Sequence, residues 1–249
     1  MVRTEVLQSA APLTVLSLFS GIGGFDLGFQ AAGLATIQFC EIDPYCRDIL
    51  ARHFPGVPIH GDIRTLEIPA GVDVVCGGPP CQPASLAGAR RGELDNRWLW
   101  PEFLECCRRA RPGWIVAENP IGIASIEPGL AWIMRKMEEM GYEALPVIIG
   151  ADDVGAPHRR SRVFIVANAN GGGCSAACPR ISEWKTSSWG SYRLVRTGRD
   201  GLFPAPGVYR MADGLPNWVD RTSTLGNAII PRIAEIIGRG IIEVNNLTS

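Results

Sequence analysis

Apolar positions along this chain fall into short runs separated by segments with a different period. The runs "LTVLSLF" (13–19), "TIQFCE" (36–41), "VDVVCG" (72–77), "GWIVAEN" (113–119) and "LPVIIG" (145–150) are close to continuously apolar. Such runs are the signature of strands buried on both faces. Between them, "GFDLGFQAAG", "PYCRDILARHF", "WLWPEFLECCRRA" and "LAWIMRKMEEMG" carry apolar residues at helical spacing. Gly33 and Gly141 stand where C-terminal caps belong. Alternation of strand and helix predicts an α/β fold with a doubly wound, mostly parallel sheet. "RVFIVAN" (162–168) predicts one more strand. The period then fails, and residues 169–217 are rich in Gly, Ser, Pro, Arg and Trp. "IIPRIAEIIGRGIIEV" (229–244) returns to an amphipathic helix. The expected layout is one α/β domain, residues 1–168 and 218–249, interrupted by a small irregular region at 169–217.

Composition changes this picture little. The length of 249 residues suits an α/β domain with a small addition. At 46% hydrophobic and 20% charged, the chain excludes global disorder. "LTVLSLF" is far shorter than the roughly 18 apolar residues of a membrane span. The start of the chain reads as a strand rather than a signal peptide, so a cytoplasmic protein with no membrane partner is expected. The eight cysteines are scattered, unlike a secreted disulfide scaffold. Cys40, Cys76 and Cys106 lie in apolar runs and are expected to be buried thiols. Cys174 and Cys178 bracket "SAA", but the chain has only three His, and no metal site is expected.

Charge is more informative once the chain is divided. Residues 1–157 carry 12 Lys and Arg against 19 Asp and Glu, and residues 158–249 carry 12 against 6. Nearly all the basic residues are Arg. An acidic front and an Arg-rich back fit an anionic partner such as nucleic acid, or a solvated basic face.

The chemistry gathers at the predicted strand ends. "SLFSGIGGFDLGF" places Gly21, Gly23 and Gly24 in a turn after the first strand, where backbone can approach a ligand and open a helix. Glu41 ends the second strand, where a carboxylate can accept from ribose hydroxyls. Asp62, in "HGDIR", follows a third strand end that precedes "VDVVCG", where an acid can reach an adenine amino group. Together they describe an adenosine pocket that fits either NAD or S-adenosylmethionine. The next strand runs into "GGPPCQ" (77–82), a stiff bend that presents Cys81. Hydride transfer has no use for a thiol there; methyl transfer to an unreactive carbon does.

With these residues in place the chain resembles the cytosine-C5 DNA methyltransferases, of a compact bacterial or phage type. The blocks "FSGIGG" (19–24), Glu41, "GDI" (61–63), "GGPPCQ" (77–82), "AEN" (117–119), "HRRSRVF" (158–164) and "LGNAIIP" (225–231) occur in the family's order. The resemblance implies a Rossmann-like fold, S-adenosylmethionine as methyl donor with S-adenosylhomocysteine as product, no metal, and transfer to C5 of cytosine in duplex DNA. It implies that Cys81 adds to cytosine C6 and makes C5 nucleophilic; an ordinary thiol, with pKa about 8.5, needs a favourable environment for this. It casts Glu118 as the acid facing N3 and the exocyclic amine, which requires a raised pKa. Asn119 would hold the loop. Arg160 and Arg162, expected to alternate on one strand, would serve the cytosine carbonyl, a phosphate, Cys81 or Glu118, with the division between them open. On the cofactor side the resemblance implies Phe19, Ile42 and Ile63 around the adenine, with Pro79, Leu99 and Asn227 as further contacts.

A base inside a duplex must rotate out to be reached, at a cost of a few kcal/mol. The DNA contacts implied are Gln82, Ser85, Arg90, Arg91 and Arg97 after the thiol, and Arg180, Lys185, Arg193, Arg196 and Arg199 in the irregular region, where Trp184, Trp189 and Tyr192 interleave. The chain departs from the family at His158, Pro120 and Ala84, none of which removes a reacting group. A cognate restriction enzyme is an expected kind of partner, and the expected state is monomeric. A tRNA substrate and a catalytically silent DNA-binding protein are the alternatives.

Overall fold

A computed structural model describes residues 11–81, 98–154, 160–169, 193–194 and 229–248. Eight strands form one sheet: β1 (Thr14–Leu18), β2 (Ala35–Cys40), β3 (Ile59–His60), β4 (Val74–Gly77), β5 (Trp114–Pro120), β6 (Tyr142–Ile149), β7 (Arg162–Ala169) and β8 (Arg193–Leu194). Their order across the sheet is β3-β2-β1-β4-β5-β7-β6-β8. β1 to β5 pair in parallel. β7 runs antiparallel to both β5 and β6, and the two-residue β8 pairs antiparallel with β6. The described helices are α1 (Gly24–Ala32), α2 (Pro44–His53), α3 (Trp100–Ala110), α4 (Leu130–Glu139) and α5 (Pro231–Thr248).

The continuous apolar runs have a plain cause. Successive side chains of a strand point to opposite faces, and here each face meets helices. Leu16, Leu18, Val75, Ile115 and Ile165 pack with Trp100, Phe103, Ile133 and Met137 of α3 and α4. Val15, Val74, Val116 and Val166 pack with Phe25, Phe29, Ile233, Ile237 and Ile241 of α1 and α5. α1 and α5 approach closely because Gly28 lies against the backbone of Pro231 and Glu235, and Gly238 against Phe29 and Ala32. Gly33 caps α1 with φ +99°, and Gly141, at φ +86°, follows α4.

The expected strands and helices are present, with ends displaced by a few residues. β8 was not anticipated, and β3 was expected only as the strand end ahead of Asp62, with no run of its own; two-residue strands carry no period to read. Among the described residues no helix is long and apolar enough to cross a membrane, and no three His, Cys, Asp or Glu side chains are grouped to hold a metal. Cys174 and Cys178 lie outside the described residues.

The site follows from register. His60, Cys40, Leu18, Gly77 and Ala117 lie side by side across β3, β2, β1, β4 and β5. The segments after them therefore leave the sheet along one edge. The strand order reverses direction between β1 and β4, the place where open α/β sheets bind ligands.

Candidate active site

The turn after β1 is tight. Phe19 at φ +50°, Gly21 at φ +54° and Gly23 at φ +83° take left-handed backbone. For a non-glycine such as Phe19 this costs on the order of 1–3 kcal/mol, a strain typical of functional sites. Glu41 is buried and holds this turn to the next: Oε2 accepts from Gly21 N–H at 2.7 Å and Oε1 from Asp43 N–H at 2.9 Å. Each oxygen keeps a lone pair for a further donor. Arg47 braces the same corner, donating to the carbonyls of Glu41 (3.3 Å) and Ile42 (3.0 Å). Ile42 is 68% exposed, unusual for a large apolar side chain beside a buried carboxylate. A Cβ on Gly21 would meet nothing within 4 Å, so the front of the turn is open. Phe19 is half-buried and Ile63 is buried. Asp62 Oδ1 accepts from Arg64 N–H at 3.0 Å and caps the turn Ile63–Thr65, leaving its other oxygen for a ligand. This set fits a nucleoside with a diol and an apolar base face.

Beyond β4 the chain reaches the thiol through Gly78, Pro79 and Pro80. Asn119, at the end of β5, clamps that loop. Its Nδ2 donates to the Pro79 carbonyl (2.9 Å), and its Oδ1 accepts from Trp100 Nε1 (2.9 Å). Asn119, Pro79 and Trp100 are all buried. Leu99 is half-buried at the N-cap of α3, and its N–H donates to the Pro80 carbonyl at 3.3 Å.

Glu118 is buried next to this loop, with Gly78 packed against its carboxylate. β7 runs antiparallel to β5, so its first residue, Arg162, arrives where β5 ends, opposite Pro120. Arg162 Nε lies 2.8 Å from Glu118 Oε1. The N–H is not aimed at that oxygen, and Oε1 has no hydrogen bond from a described residue. The contact is an ion pair rather than a directed hydrogen bond. Arg160 stands just before the strand rather than on it. Burial raises the Glu118 pKa, opposed by the charges of Arg162 and Arg160. Burial also pushes the Cys81 thiol up to about 11; Glu118 adds to the rise and Arg162 opposes it. These surroundings disfavour the thiolate, the opposite of the environment that the chemistry asks for.

Gln82, Ser85, Arg90, Arg91, Arg97, His158, Arg180, Lys185, Arg196, Arg199 and Asn227 lie outside the described residues, and of Arg193 only the backbone in β8 is described. The other named positions gather along the one sheet edge. Sequence reasoning missed Trp100 and Arg47. The signal for Arg47 was its position six residues after Glu41, one turn into α2. Trp100 left no signal, because its partner Asn119 is on another element.

The model of the C-5 cytosine-specific DNA methylase family matches residues 13–192. The chain belongs to that family. It is 40% identical over 179 residues to the type II methyltransferase M.AquIA of Picosynechococcus, covering 63% of this chain and 72% of that one. It is 35% identical over 163 residues to M2.BsuMI of Bacillus subtilis, covering 63% of this chain but 42% of the relative. Among solved structures it resembles an E. coli prophage-encoded protein assigned as a DNA modification methyltransferase, with TM-score 0.53, 28% identity and coverage of 63% and 47%. The Dnmt2 methyltransferase of S. pombe gives TM-score 0.52 and 25% identity, covering 64% of this chain and 51% of that one. The chain therefore spans about half the length of several relatives that it matches.

Proposed function

We propose that the protein transfers a methyl group from S-adenosylmethionine to C5 of cytosine in duplex DNA, through a transient bond between Cys81 and C6. The observation that supports this best is convergence. The Cys81 loop, the buried Glu118 and the Arg162 guanidinium meet at one sheet edge, along which lies the turn held by Glu41.

S-adenosylmethionine, when bound, supplies the electrophilic methyl group that the activated C5 takes up. Gly21, Glu41 and Ile42 would hold its adenosine part, the carboxylate accepting from the ribose diol. Cys81 supplies the sulfur electron pair that adds to C6. Glu118, which burial keeps prone to hold a proton, gives one toward N3 as negative charge builds on the ring. Arg162 keeps that carboxyl from becoming too weak an acid and offsets the charge of the site. Loss of the C5 proton to water, expulsion of the thiolate as the C5–C6 double bond re-forms, and return of the N3 proton to Glu118 restore the base and the acid.

Within this reading residues 1–168 and 218–249 form the catalytic domain, and 169–217 read the DNA sequence. The Arg-rich composition of that region supports contact with phosphates. The reading also carries the earlier expectations of a monomer, a cytoplasmic location and a cognate restriction enzyme as partner.

The test is incubation with isotopically labelled S-adenosylmethionine and mixed-sequence duplex DNA, with tRNA as competitor. The reading predicts 5-methylcytosine in the duplex, lost in Cys81→Ser. Label in tRNA alone, or at a base other than cytosine, would overturn it.

A further inference from the structure

Pro79 and Pro80 lack backbone N–H groups, so this part of the thiol loop is held through carbonyl oxygens. The Pro79 carbonyl goes to Asn119, and the Pro80 carbonyl accepts from Leu99 N–H. The second bond frames an isolated antiparallel bridge in which Cys81 stands opposite Trp98. Directly opposed residues of an antiparallel pair put their side chains on the same face, close together. Trp98 is 4% exposed. Its ring sits edge-on to Trp132 of α4, centroids 5.8 Å apart at 68°. Cys81 packs against the same apolar cluster. The buried Trp98 Nε1 has no partner among the described residues, so what the ring shows here is shape rather than a hydrogen bond.

We propose that Trp98 is a positioning residue for Cys81: seated on Trp132, it fixes the backbone against which the thiol is registered and covers that thiol from water. The proposal rests on Cys81 being the nucleophile. Two consequences run in opposite directions. Burial is the largest influence lifting the Cys81 pKa, ahead of Glu118, with Arg162 opposing. Removing the indole therefore makes the thiol easier to ionise. It also loosens the placement that addition to C6 needs.

The experiment compares wild type, Trp98→Ala and Trp98→Phe in two assays. The first is iodoacetamide labelling of Cys81 against pH, read by peptide mass spectrometry, with the fully buried Cys76 and Cys107 as internal controls. The second is the rate of covalent capture of a 5-fluorocytosine duplex in the presence of S-adenosylmethionine. Trp98→Ala should label Cys81 about 10-fold faster near neutral pH, the effect of roughly one pKa unit. Cys76 and Cys107 should stay protected. The same variant should capture the duplex at least about 10-fold more slowly, and Trp98→Phe should restore most of both. If Trp98→Ala does not fold, Trp98→Leu takes its place, keeping an apolar body without the edge contact. Unchanged labelling and capture would overturn the proposal. So would loss of protection at Cys76 and Cys107 in every variant, which is general unfolding. If wild type captures no duplex but labelling still shifts at Cys81 alone, the methylation reading fails and takes the positioning role with it, while the shielding of the thiol by Trp98 stands.

Discussion

Replacing Asn119 with Ala tests the clamp on the thiol loop. The side chain makes two buried hydrogen bonds, to the Pro79 carbonyl and from Trp100 Nε1, each 2.9 Å. Trp100 is fully buried and Asn119 is 3% exposed, so little water stands ready to replace either bond. Truncation leaves one buried donor and one buried acceptor unmet, each costing about 1–3 kcal/mol. The expected loss is about 2–6 kcal/mol, a large share of the roughly 5–15 kcal/mol that holds a domain folded. Trp100→Phe removes the indole N–H together with part of a fully buried ring, so its own cost includes a cavity and only the cycle isolates the bond. A double-mutant cycle between the two positions should then give a coupling of about 1 kcal/mol. A catalytic group displaced by about 1 Å can cost about 10²-fold in rate, so single-turnover methylation by the Ala variant should fall about 10–100-fold. Affinity for S-adenosylhomocysteine should fall less than the rate, because Glu41 and the turn after β1 are untouched and only the Pro79 contact is loosened. Urea denaturation gives the first quantity, quench kinetics the second, and calorimetry the third. A variant within about 0.5 kcal/mol of wild type, methylating at the full rate, would refute the reasoning.

Glu118→Gln removes the negative charge that helps lift the Cys81 thiol, so alkylation of Cys81 in the free protein should shift to lower pH even as methylation is lost; an unmoved profile contradicts the coupling. Asp26 is fully buried between Ser17 and Thr36, and burial raises its pKa from 3.8 to about 6 against their hydrogen bonds. A carboxyl raised in the folded state contributes stability below its unfolded pKa and loses it as pH rises through the folded value. Asp26→Asn should therefore gain on wild type by up to about 3 kcal/mol between about pH 4 and about pH 7, and parallel urea midpoints would contradict this. Gly28→Ala would drive a Cβ into the Pro231 carbonyl and Ala234, separating α1 from α5 at a cost of about 1–3 kcal/mol, seen as a lower melting temperature.

Much of the edge was legible because it is written locally. Gly21 to Gly24, Glu41 and Cys81 each sit at or just beyond the end of an apolar run, and runs buried on both faces are easy to find; Asp62 follows only the two-residue β3. The parallel strands then bring their ends together without any further information. What was illegible lies between elements. The pairing of Asn119 with Trp100 joins the end of β5 to the start of α3. The Trp98–Trp132 contact joins a residue two positions before α3 to α4. The direction of β7, which delivers Arg162 to Glu118, is set by packing rather than by its own apolar period. The elevated thiol pKa was hidden for the same reason: burial depends on what covers Cys81, and the covering side chains are remote in sequence. Asp26 stands in the first turn of α1, where an acid is ordinary, so nothing local in the sequence marks its burial.

The most direct test of the account is the mass of the denatured complex formed with a 5-fluorocytosine duplex and S-adenosylmethionine. A stable adduct should form, map to the peptide containing Cys81 and vanish in Cys81→Ser. An intact, unmodified Cys81 in protein that nevertheless methylates cytosine would contradict it.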